Sequence, residues 1–388
     1  MHIAQRMSRL GTETAFEVLA KAKALEAKGK KIIHLEIGEP DFDTPTHIKD
    51  AAADALFKGY THYGPSAGML EFREAIAEYF TAHKGVPVSP DEVVVTPGAK
   101  PIMFFGMQAV IDEGDEVIYP NPGFPIYESV IDFIGAKPVP LILRQENEFR
   151  ADVNEIESLI TPKTRMIIIN TPQNPTGSVL TKDDLRRIAE LAIKHDLIVF
   201  SDEIYSRIIY DGAEHVSIAT FPGMKERTII LDGFSKTYAM TGWRLGFGIF
   251  PKEIATLVAR LQTNCTSCTA SFVQIAGIQA LRGPQNEAEA FVQEFRRRRD
   301  IIVDGLNGIK GITCVRPHGA FYVFPNIEGT GKDSKFLADY LMNEAGVACL
   351  SGTAFGAHGN GFLRFSYANS IENIQQAVKQ IKAAVEKL

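Results

Sequence analysis

Residues 228–244 read Thr228-Ile229-Ile230-Leu231-Asp232-Gly233-Phe234-Ser235-Lys236-Thr237-Tyr238-Ala239-Met240-Thr241-Gly242-Trp243-Arg244. The first of these positions are consecutively apolar and a glycine follows them, which predicts a buried strand that ends in a turn. Lys236 comes just after the strand, and Arg244 follows eight residues later. In α/β proteins, ligands bind beyond the carboxyl ends of the strands. A lysine there can form an imine with a carbonyl group, and the arginine can hold a dianion.

Size and composition restrict the class of protein. The chain has 388 residues, is 45% hydrophobic and carries a net charge of -6, which predicts more than one domain, a large core and no nucleic-acid partner. The sequence contains no apolar run long enough to cross a bilayer, so no membrane partner is expected. The first residues lack the apolar core of a secretory signal. We therefore expect a cytoplasmic location.

The cysteines are too few for a disulfide framework in a chain of this length; they are Cys265, Cys268, Cys314 and Cys349. Cys265 and Cys268 have the C-x-x-C spacing, but no second pair of ligands appears. We expect no metal site, and we interpret all four as buried, reduced thiols.

Apolar runs alternate with amphipathic segments, which is typical of an α/β fold with a mostly parallel sheet flanked by helices. Predicted strands cover 93–96, 116–119, 165–170, 197–201, 228–231 and 244–249. Helices are predicted to begin near Ala99, Phe124, Thr181 and Pro251. Thr181, followed by acidic residues, is a good helix N-cap.

The pattern changes after about residue 285. A long charged helix is predicted over 286–307, and we interpret its run Arg296-Arg297-Arg298-Arg299 as a solvated face. Short strands near 321–324 and 362–366 and two more helices follow. We predict a large domain over 49–285, a smaller α+β domain over 286–388, and an N-terminal segment, 1–48, that joins the smaller one.

Asp202 ends the predicted strand 197–201 and lies in Ser201-Asp202-Glu203-Ile204-Tyr205. A carboxylate beside a pyridine nitrogen keeps that nitrogen protonated, and the protonated ring is an electron sink. Together with Lys236 and Arg244, Asp202 indicates a site for pyridoxal phosphate. Tyr205 can hydrogen-bond the phenolic oxygen of that cofactor. Taken alone, Asp202 would be a helix N-cap.

Two further motifs follow strands. Asn170-Thr171-Pro172-Gln173-Asn174-Pro175-Thr176-Gly177 predicts a rigid loop in which Asn174 offers an amide to the same phenolic oxygen. Thr96-Pro97-Gly98-Ala99-Lys100-Pro101 opens a helix, whose exposed N–H groups suit a phosphate. Each motif on its own is compatible with an ordinary turn.

Two side chains are candidates for the ring face and the substrate. Phe124, in Asn121-Pro122-Gly123-Phe124-Pro125-Ile126-Tyr127, can stack on a pyridine ring, or it is an ordinary core residue. Arg364 lies in an apolar strand, where an unpaired guanidinium is costly. We assign it to the α-carboxylate of a substrate, with a structural ion pair as the alternative.

In this order the motifs resemble the class I/II aminotransferases of pyridoxal-phosphate fold type I, most of all the prokaryotic aspartate aminotransferase subgroup. The resemblance runs from Gly38-Glu39-Pro40-Asp41-Phe42 to Arg364-Phe365-Ser366. It implies that pyridoxal 5'-phosphate is linked to Lys236, with catalytic roles for Lys236, Asp202 and Tyr205. It implies further cofactor contacts from Gly98, Ala99, Lys100, Phe124, Asn174, Ser235 and Arg244. Substrate contacts would come from Gly38, Phe124, Asn174, Arg364 and Lys100.

The resemblance also implies a homodimer with shared active sites, because Tyr63 matches a tyrosine that reaches the cofactor phosphate of the neighbouring subunit. It implies ping-pong transfer of an amino group from an L-amino acid to a 2-oxo acid such as 2-oxoglutarate. The Asn174-Pro175 bond of the family is often cis.

The sequence departs from the family at two places. Phe124 replaces a tryptophan that many relatives carry. An acid and an aromatic, in Thr12-Glu13-Thr14-Ala15-Phe16, replace a Pro-Ser stretch that aspartate-preferring relatives often have. Lys100, by contrast, matches a lysine that some aspartate-specific relatives use for the distal carboxylate. We rank aspartate first as donor, and aromatic or other neutral amino acids second.

Three other functions were considered. The same fold also hosts pyridoxal-phosphate-dependent lyases, decarboxylases and synthases, which share the carbanion but not its fate. A regulator that only senses the cofactor would need a DNA-binding module, for which there is no room before Gly38. A nucleotide-dependent enzyme is disfavoured because the sequence has neither a P-loop motif nor G-x-G-x-x-G opening a helix.

Overall fold

A seven-stranded sheet lies at the centre of the computed structural model, which describes residues 2–388. The strands of the chain are β1 Ile33–His34, β2 Val93–Pro97, β3 Glu116–Asn121, β4 Lys137–Ile142, β5 Thr164–Asn170, β6 Ile198–Asp202, β7 Thr228–Gly233, β8 Leu245–Ile249, β9 Tyr322–Val323, β10 Val347–Ala348, β11 Leu350–Ser351 and β12 Leu363–Ser366. The helices are α1 Ala15–Glu26, α2 Thr46–Phe57, α3 Leu70–Tyr79, α4 Lys100–Val110, α5 Ile126–Ile134, α6 Val153–Leu159, α7 Lys182–Lys194, α8 Lys252–Thr266, α9 Ser271–Arg282, α10 Asn286–Asn307, α11 Ser334–Tyr340 and α12 Ile371–Val385.

Strand order and direction place several strand ends together. The large sheet has the order β2-β8-β7-β6-β5-β3-β4. Neighbours from β7 to β4 are parallel, whereas β8 is antiparallel to both β7 and β2. The strands β2, β3, β5, β6 and β7 therefore end at one edge of the sheet. Because β8 runs the opposite way, it begins at that edge.

Side-chain alternation along β7 explains why helices cover both faces of the sheet. Ile229 and Leu231 belong to one hydrophobic cluster together with Ile102 of α4. Ile230 belongs to another cluster together with Phe72 of α3. Successive residues of a strand point to opposite faces, so both faces of β7 are apolar and both are covered. This confirms the predicted α/β class with a mostly parallel sheet.

The predicted strands of this sheet are present, with ends that differ by up to two residues. The strand β4 was not predicted, because Pro138 and Pro140 interrupt the pattern. It lies at the edge of the sheet, where a missing N–H is tolerated. Thr181 caps α7 as predicted: its hydroxyl accepts from the N–H of Asp184 (3.1 Å), and the Asp184 carboxylate accepts from the N–H of Thr181 (2.9 Å).

The last hundred residues form separate, smaller sheets. The strands β11, β12 and β9 pair antiparallel, and β1 pairs in parallel with β10. Residues 33–34 thus join the C-terminal part of the chain. The long predicted helix is α10, with the predicted bounds, and α11 and α12 are the two further helices.

The interpretation of the arginine run as a solvated face is wrong for two of its members. Arg298 and Arg299 are buried, and they form ion pairs with Asp41 (2.6 Å) and Asp211 (2.5 Å), respectively. Helical spacing explains this, because both lie within one turn of Phe295, which packs in the core. Arg296 and Arg297 remain exposed.

The interpretation of the cysteines is wrong for the C-x-x-C pair. All four thiols are free, but Cys265 is exposed and Cys268 half-buried, because they lie at the end of α8 and in the turn after it. No cluster of metal-binding side chains is present within residues 2–388. Over the same residues, none of the helices combines the length and the apolar character needed to cross a membrane.

Candidate active site

A cavity of about 510 Å³ opens at the edge where the parallel strands end. It is lined by most of the residues that the sequence singled out: Gly38, Ala99, Lys100, Phe124, Asn174, Asp202, Tyr205, Ser235, Lys236, Arg244 and Arg364. The strand directions explain this convergence, since each of β2, β3, β5, β6 and β7 delivers the residues that follow it, and β8 those that precede it.

Lys236 is half-buried and its amine donates a hydrogen bond to the carbonyl oxygen of Gly38 (2.5 Å). Burial, assisted by the nearby charges of Arg364 and Lys100, lowers the pKa of Lys236 to about 8 against the opposing charges of Glu13 and Glu39. About half of the amine is therefore neutral at pH 8, and only a neutral amine is a nucleophile or a base.

Asp202 is buried at the end of β6. Its Oδ2 accepts a hydrogen bond from the hydroxyl of Tyr127 (2.6 Å), and its Oδ1 accepts one from the N–H of Ile204 (3.2 Å). Burial raises the pKa of Asp202 to about 6, although both hydrogen bonds oppose the shift. The carboxylate is thus mostly ionised at pH 7. Tyr127 was not predicted; the available signal was its place in the same motif as Phe124.

Polar groups from three distant segments meet beside Asp202. The hydroxyls of Tyr205 and Tyr322 are hydrogen-bonded, 2.7 Å apart. The N–H of Asn174 donates to the side chain of Asn170 (2.9 Å), but its own Oδ1 is buried without a partner. The Asn174-Pro175 bond is cis. Tyr322 was not predicted, since it looks like an ordinary strand residue in the sequence.

Gly98 and Arg244 are in contact at the start of α4. Gly98 has φ +81°, and a Cβ at this position would collide with the guanidinium of Arg244. Arg244 lies directly before β8 and donates to the carbonyl oxygen of Thr241 (2.8 Å). Ser235 is buried nearby, in the cavity wall. Gly98 does not itself line the cavity, but its missing side chain lets a cationic group approach the N-terminus of a helix, where an anion binds well.

Arg364 is buried in β12, and its guanidinium is only partly satisfied. The Nη2 atom donates to the backbone carbonyl of Glu36, while Nε has no partner. The guanidinium stacks on the rings of Tyr322 (4.6 Å) and Phe355 (5.0 Å). The hydrogen bond goes to a carbonyl and not to a carboxylate, which argues against the structural ion pair considered as an alternative. A Cβ at Gly38 would collide with the Tyr322 hydroxyl, so glycine keeps this wall of the cavity open.

Lys100 forms an ion pair with Glu13 at the rim of the cavity. Its ammonium also lies 5.7 Å from the centre of the Phe124 ring. Phe124 packs edge-on against Tyr127, with ring centres 5.7 Å apart. The acid of the 12–16 stretch therefore neutralises Lys100, which matches the lysine that some aspartate-specific relatives use for the distal carboxylate.

Tyr63 is a predicted site residue that lies outside the cavity. Its side chain is 89% exposed and does not line the cavity. The loop around it is held to the start of α9, because Ser271 donates to the carbonyl oxygen of His62 (2.9 Å) and the N–H of Gly64 donates to the sulfur of Cys268 (3.4 Å).

The chain is similar to known proteins over nearly its whole length. The profile of the family described as "Aminotransferase class I and II" matches residues 30–381. The aromatic-amino-acid aminotransferase 2 of Thermococcus litoralis is 42% identical and covers 100% of this chain and 99% of its own. The aspartate aminotransferase of Pyrococcus abyssi is 45% identical over 91% of each chain.

Solved structures give the same result. The structure described as aspartate aminotransferase from Thermus thermophilus with maleate superimposes with a TM-score of 0.94, at 38% identity, over 99% of this chain and all of the other. Because sequence and fold both match over nearly the full length, this chain belongs to the class I and II aminotransferases and is an enzyme of that family.

Proposed function

We propose that this aminotransferase binds pyridoxal 5'-phosphate in the cavity and moves the amino group of an L-amino acid, with aspartate favoured, to a 2-oxo acid such as 2-oxoglutarate. One observation carries the proposal. The amine of Lys236 and the carboxylate of Asp202 line the same cavity, and their pKa values of about 8 and about 6 suit a covalent lysine and an ionised acid.

The residues present fit the cofactor. Buried polar groups in proteins are almost always hydrogen-bonded, yet Asn174 Oδ1 and Arg364 Nε have no partner. Lys236 would hold the aldehyde carbon, Asp202 the ring nitrogen, and Asn174 and Tyr205 the phenolic oxygen. Phe124 would cover one face of the ring. The phosphate would be held by the Gly98-Ala99-Lys100 backbone, Ser235 and Arg244.

Amino-group transfer requires one group that carries a proton and one group whose charge stays fixed. When bound, pyridoxal phosphate supplies an electron-withdrawing ring that accepts the electron pair of the substrate's α-carbon after the α-proton leaves. The neutral amine of Lys236 is the base that takes this proton and returns it. Asp202 stays ionised, because the hydroxyl of Tyr127 and the N–H of Ile204 donate to its two oxygens.

Arg364 is placed to bind the α-carboxylate of the substrate. It is buried, it carries a free Nε, and two aromatic rings hold its guanidinium plane. A planar guanidinium binds a carboxylate through two parallel hydrogen bonds, which fixes orientation as well as position.

The Lys100–Glu13 pair bears on the choice of donor. A second carboxylate, as in aspartate, would compete with Glu13 for Lys100, whereas a neutral side chain would leave the pair in place. The half-exposed pair is weak enough to be replaced at modest cost. Relatives named as aspartate and as aromatic-amino-acid aminotransferases agree with a site that accepts both kinds of donor.

The test uses purified protein reconstituted with pyridoxal phosphate. We expect a visible absorption band that Lys236→Ala abolishes, and borohydride reduction that fixes the cofactor mass at position 236. A panel of amino donors with 2-oxoglutarate should yield 2-oxo acids with ping-pong kinetics. Full turnover by the Lys236→Ala variant would refute the proposal. Product formation that needs no 2-oxo acid would indicate a lyase or decarboxylase.

We also propose a homodimer that shares its active sites. Large exposed apolar side chains cluster in sequence around the loop of Tyr63: Leu56, Phe57, Tyr60, Tyr63 and Leu70. Phe57 is 92% exposed, which is unfavourable unless another surface covers it. Tyr63 would reach the phosphate site of the partner subunit. Light scattering that found a fully active monomer would contradict this.

The division into 1–48, 49–285 and 286–388 is likewise a proposal. It is supported by the strand pairing, because the large sheet lies within residues 93–249 and residues 33–34 pair with the C-terminal part. Limited proteolysis that cuts near residue 285 and releases two stable fragments would agree with it.

A further inference from the structure

A buried ionic cluster lies beside the candidate site without belonging to the cavity. The side chain of Lys84 is only 6% exposed, and its ammonium donates to Glu203 (3.2 Å), Asp232 (3.2 Å) and Ser206 (2.6 Å). The Nε2 atom of His215 lies 2.9 Å from Glu203 Oε2, the same oxygen that Lys84 contacts. Lys84, Glu203, Asp232 and His215 are referred to below as the Lys84 cluster.

Lys84 and Glu203 are both ionised at neutral pH. Burial opposes the charge on Lys84, but Asp232 and Glu203 raise its pKa above the ordinary value. Burial likewise opposes the charge on Glu203, but Lys84 and His215 lower its pKa, and the hydroxyl of Ser217 donates to it (2.6 Å). Lys84 therefore remains a cation between two carboxyl groups.

The acceptors of Lys84 come from the ends of two neighbouring strands. Glu203 directly follows Asp202 at the end of β6, and Asp232 lies near the end of β7, four residues before Lys236. These strands are parallel neighbours, with Asp202 opposite Leu231. Because side chains alternate along a strand, Glu203 and Asp232 face away from the side that carries Asp202.

We propose that Lys84 is a positioning residue: from the far face of the sheet, its ammonium fixes the ends of β6 and β7 relative to each other and so sets the placement of Asp202 and Lys236. The inference rests on the proposed function, because it concerns the two residues assigned to the cofactor. Three hydrogen bonds in fixed directions hold these acceptors in place, which apolar packing does not do.

A purely stabilising role explains the cluster less well. Buried ion pairs are often no more stabilising than apolar residues of the same volume, because desolvation offsets the attraction. An apolar replacement of Lys84 would lose the directional hydrogen bonds that fix the positions of the two strand ends. Small displacements of reacting groups strongly reduce the rate at which a covalent bond forms between them.

The experiment compares two variants with the wild type and a control. Lys84→Met removes the cation. The double variant Lys84→Met/Asp232→Asn also removes one carboxylate, so the net charge of the buried cluster is kept. Lys194→Met is the control, since Lys194 forms an ion pair with Glu157 on the surface (2.9 Å). All are purified without cofactor and their melting temperatures are recorded.

Two readouts are then taken with added pyridoxal phosphate. The Kd for pyridoxal phosphate is measured from the quenching of the fluorescence of Trp243. This residue is the single tryptophan of the chain, and it adjoins Arg244. The fraction of Lys236 that borohydride fixes at saturating cofactor follows from mass spectrometry. This fraction reports on the geometry between the amine and the bound aldehyde, and a stability defect alone does not change it in a folded protein.

We expect the control to match the wild type in both readouts. For both Lys84 variants we expect a Kd that is weaker by about ten- to a hundredfold. The fixed fraction should fall as well, while the double variant melts close to the wild type. Wild-type Kd and full fixation in either variant would overturn the inference. So would the failure of both variants to fold, because Lys84 would then serve folding and not the site. A wild type that binds no cofactor would instead refute the proposed function.

Discussion

The buried carboxylate of Asp202 should destabilise the protein when no cofactor is bound, and Asp202→Asn should reveal this. Burial raises the pKa of Asp202 from 3.8 to about 6, a shift of about two units. Each unit corresponds to about 1.4 kcal/mol, so the ionised side chain costs the folded state about 3 kcal/mol. Asparagine has the same shape and cannot ionise.

The sign of the effect follows from proton binding. Well below pH 3.8 the carboxyl group is protonated in both the folded and the unfolded state, so the cost is absent. Between pH 4 and 6 the folded state binds the proton more tightly, and stability falls as the pH rises. Above pH 6 the cost is complete. The variant should therefore gain about 3 kcal/mol over the wild type between pH 4 and pH 7.

The assay is thermal unfolding of the cofactor-free proteins from pH 4 to pH 8. At about 2.1 cal/mol/K per residue, 388 residues give an unfolding entropy of about 0.8 kcal/mol/K, so 3 kcal/mol corresponds to about 4 °C. Asp112→Asn, at an exposed position, serves as the control. A difference that stays constant with pH would refute the reasoning, whatever its size. The reconstituted Asp202→Asn enzyme should lose activity by at least about a hundredfold, since the fixed charge is gone.

Three other replacements test the site. Tyr127→Phe removes the hydroxyl that donates to Asp202, so the midpoint of the same pH-dependent melting curve should move upward by about one to two pH units; an unmoved midpoint would show that this hydrogen bond does not stabilise the charge. Glu13→Gln frees Lys100, so the KM for aspartate should fall by about two- to fivefold while that for phenylalanine stays within twofold; an equal fall for both donors would contradict the role of the pair. Arg364→Lys replaces the planar fork with a point charge, so the KM of all donors should rise by at least about tenfold while the cofactor band is unchanged; a lost band would mean that Arg364 acts on the cofactor.

The candidate site was largely predictable because of the way parallel strands are built. Asn174, Asp202 and Lys236 each follow a recognisable apolar run, and strands that run in parallel end at one edge. A chemical group placed just after a strand is therefore already placed in space. Arg244 obeys the same logic in reverse, because it precedes β8, which runs opposite to the other strands of the large sheet.

Contacts between distant segments were not predictable in the same way. Tyr205 meets Tyr322 across 117 residues of sequence, and Lys84 meets Glu203 across 119. In the sequence, Tyr322 looks like an ordinary strand residue and Lys84 like an ordinary surface residue. Arg299 shows the same limit: a run of arginines indicates a solvated face until the partner of the buried arginine, Asp211, is known.

Local order along the chain was enough to assign the α/β class, the family and most residues of the candidate site, because strand ends and short loops carry them. Folding in three dimensions set the protonation of those residues, since the pKa values of Asp202 and Lys236 depend on burial and on neighbours that the chain brings in from elsewhere. It also paired Lys100 with Glu13 and left Arg364 without a carboxylate partner. Desolvation and charge act through space, so their effects appear only once the packed structure defines the distances.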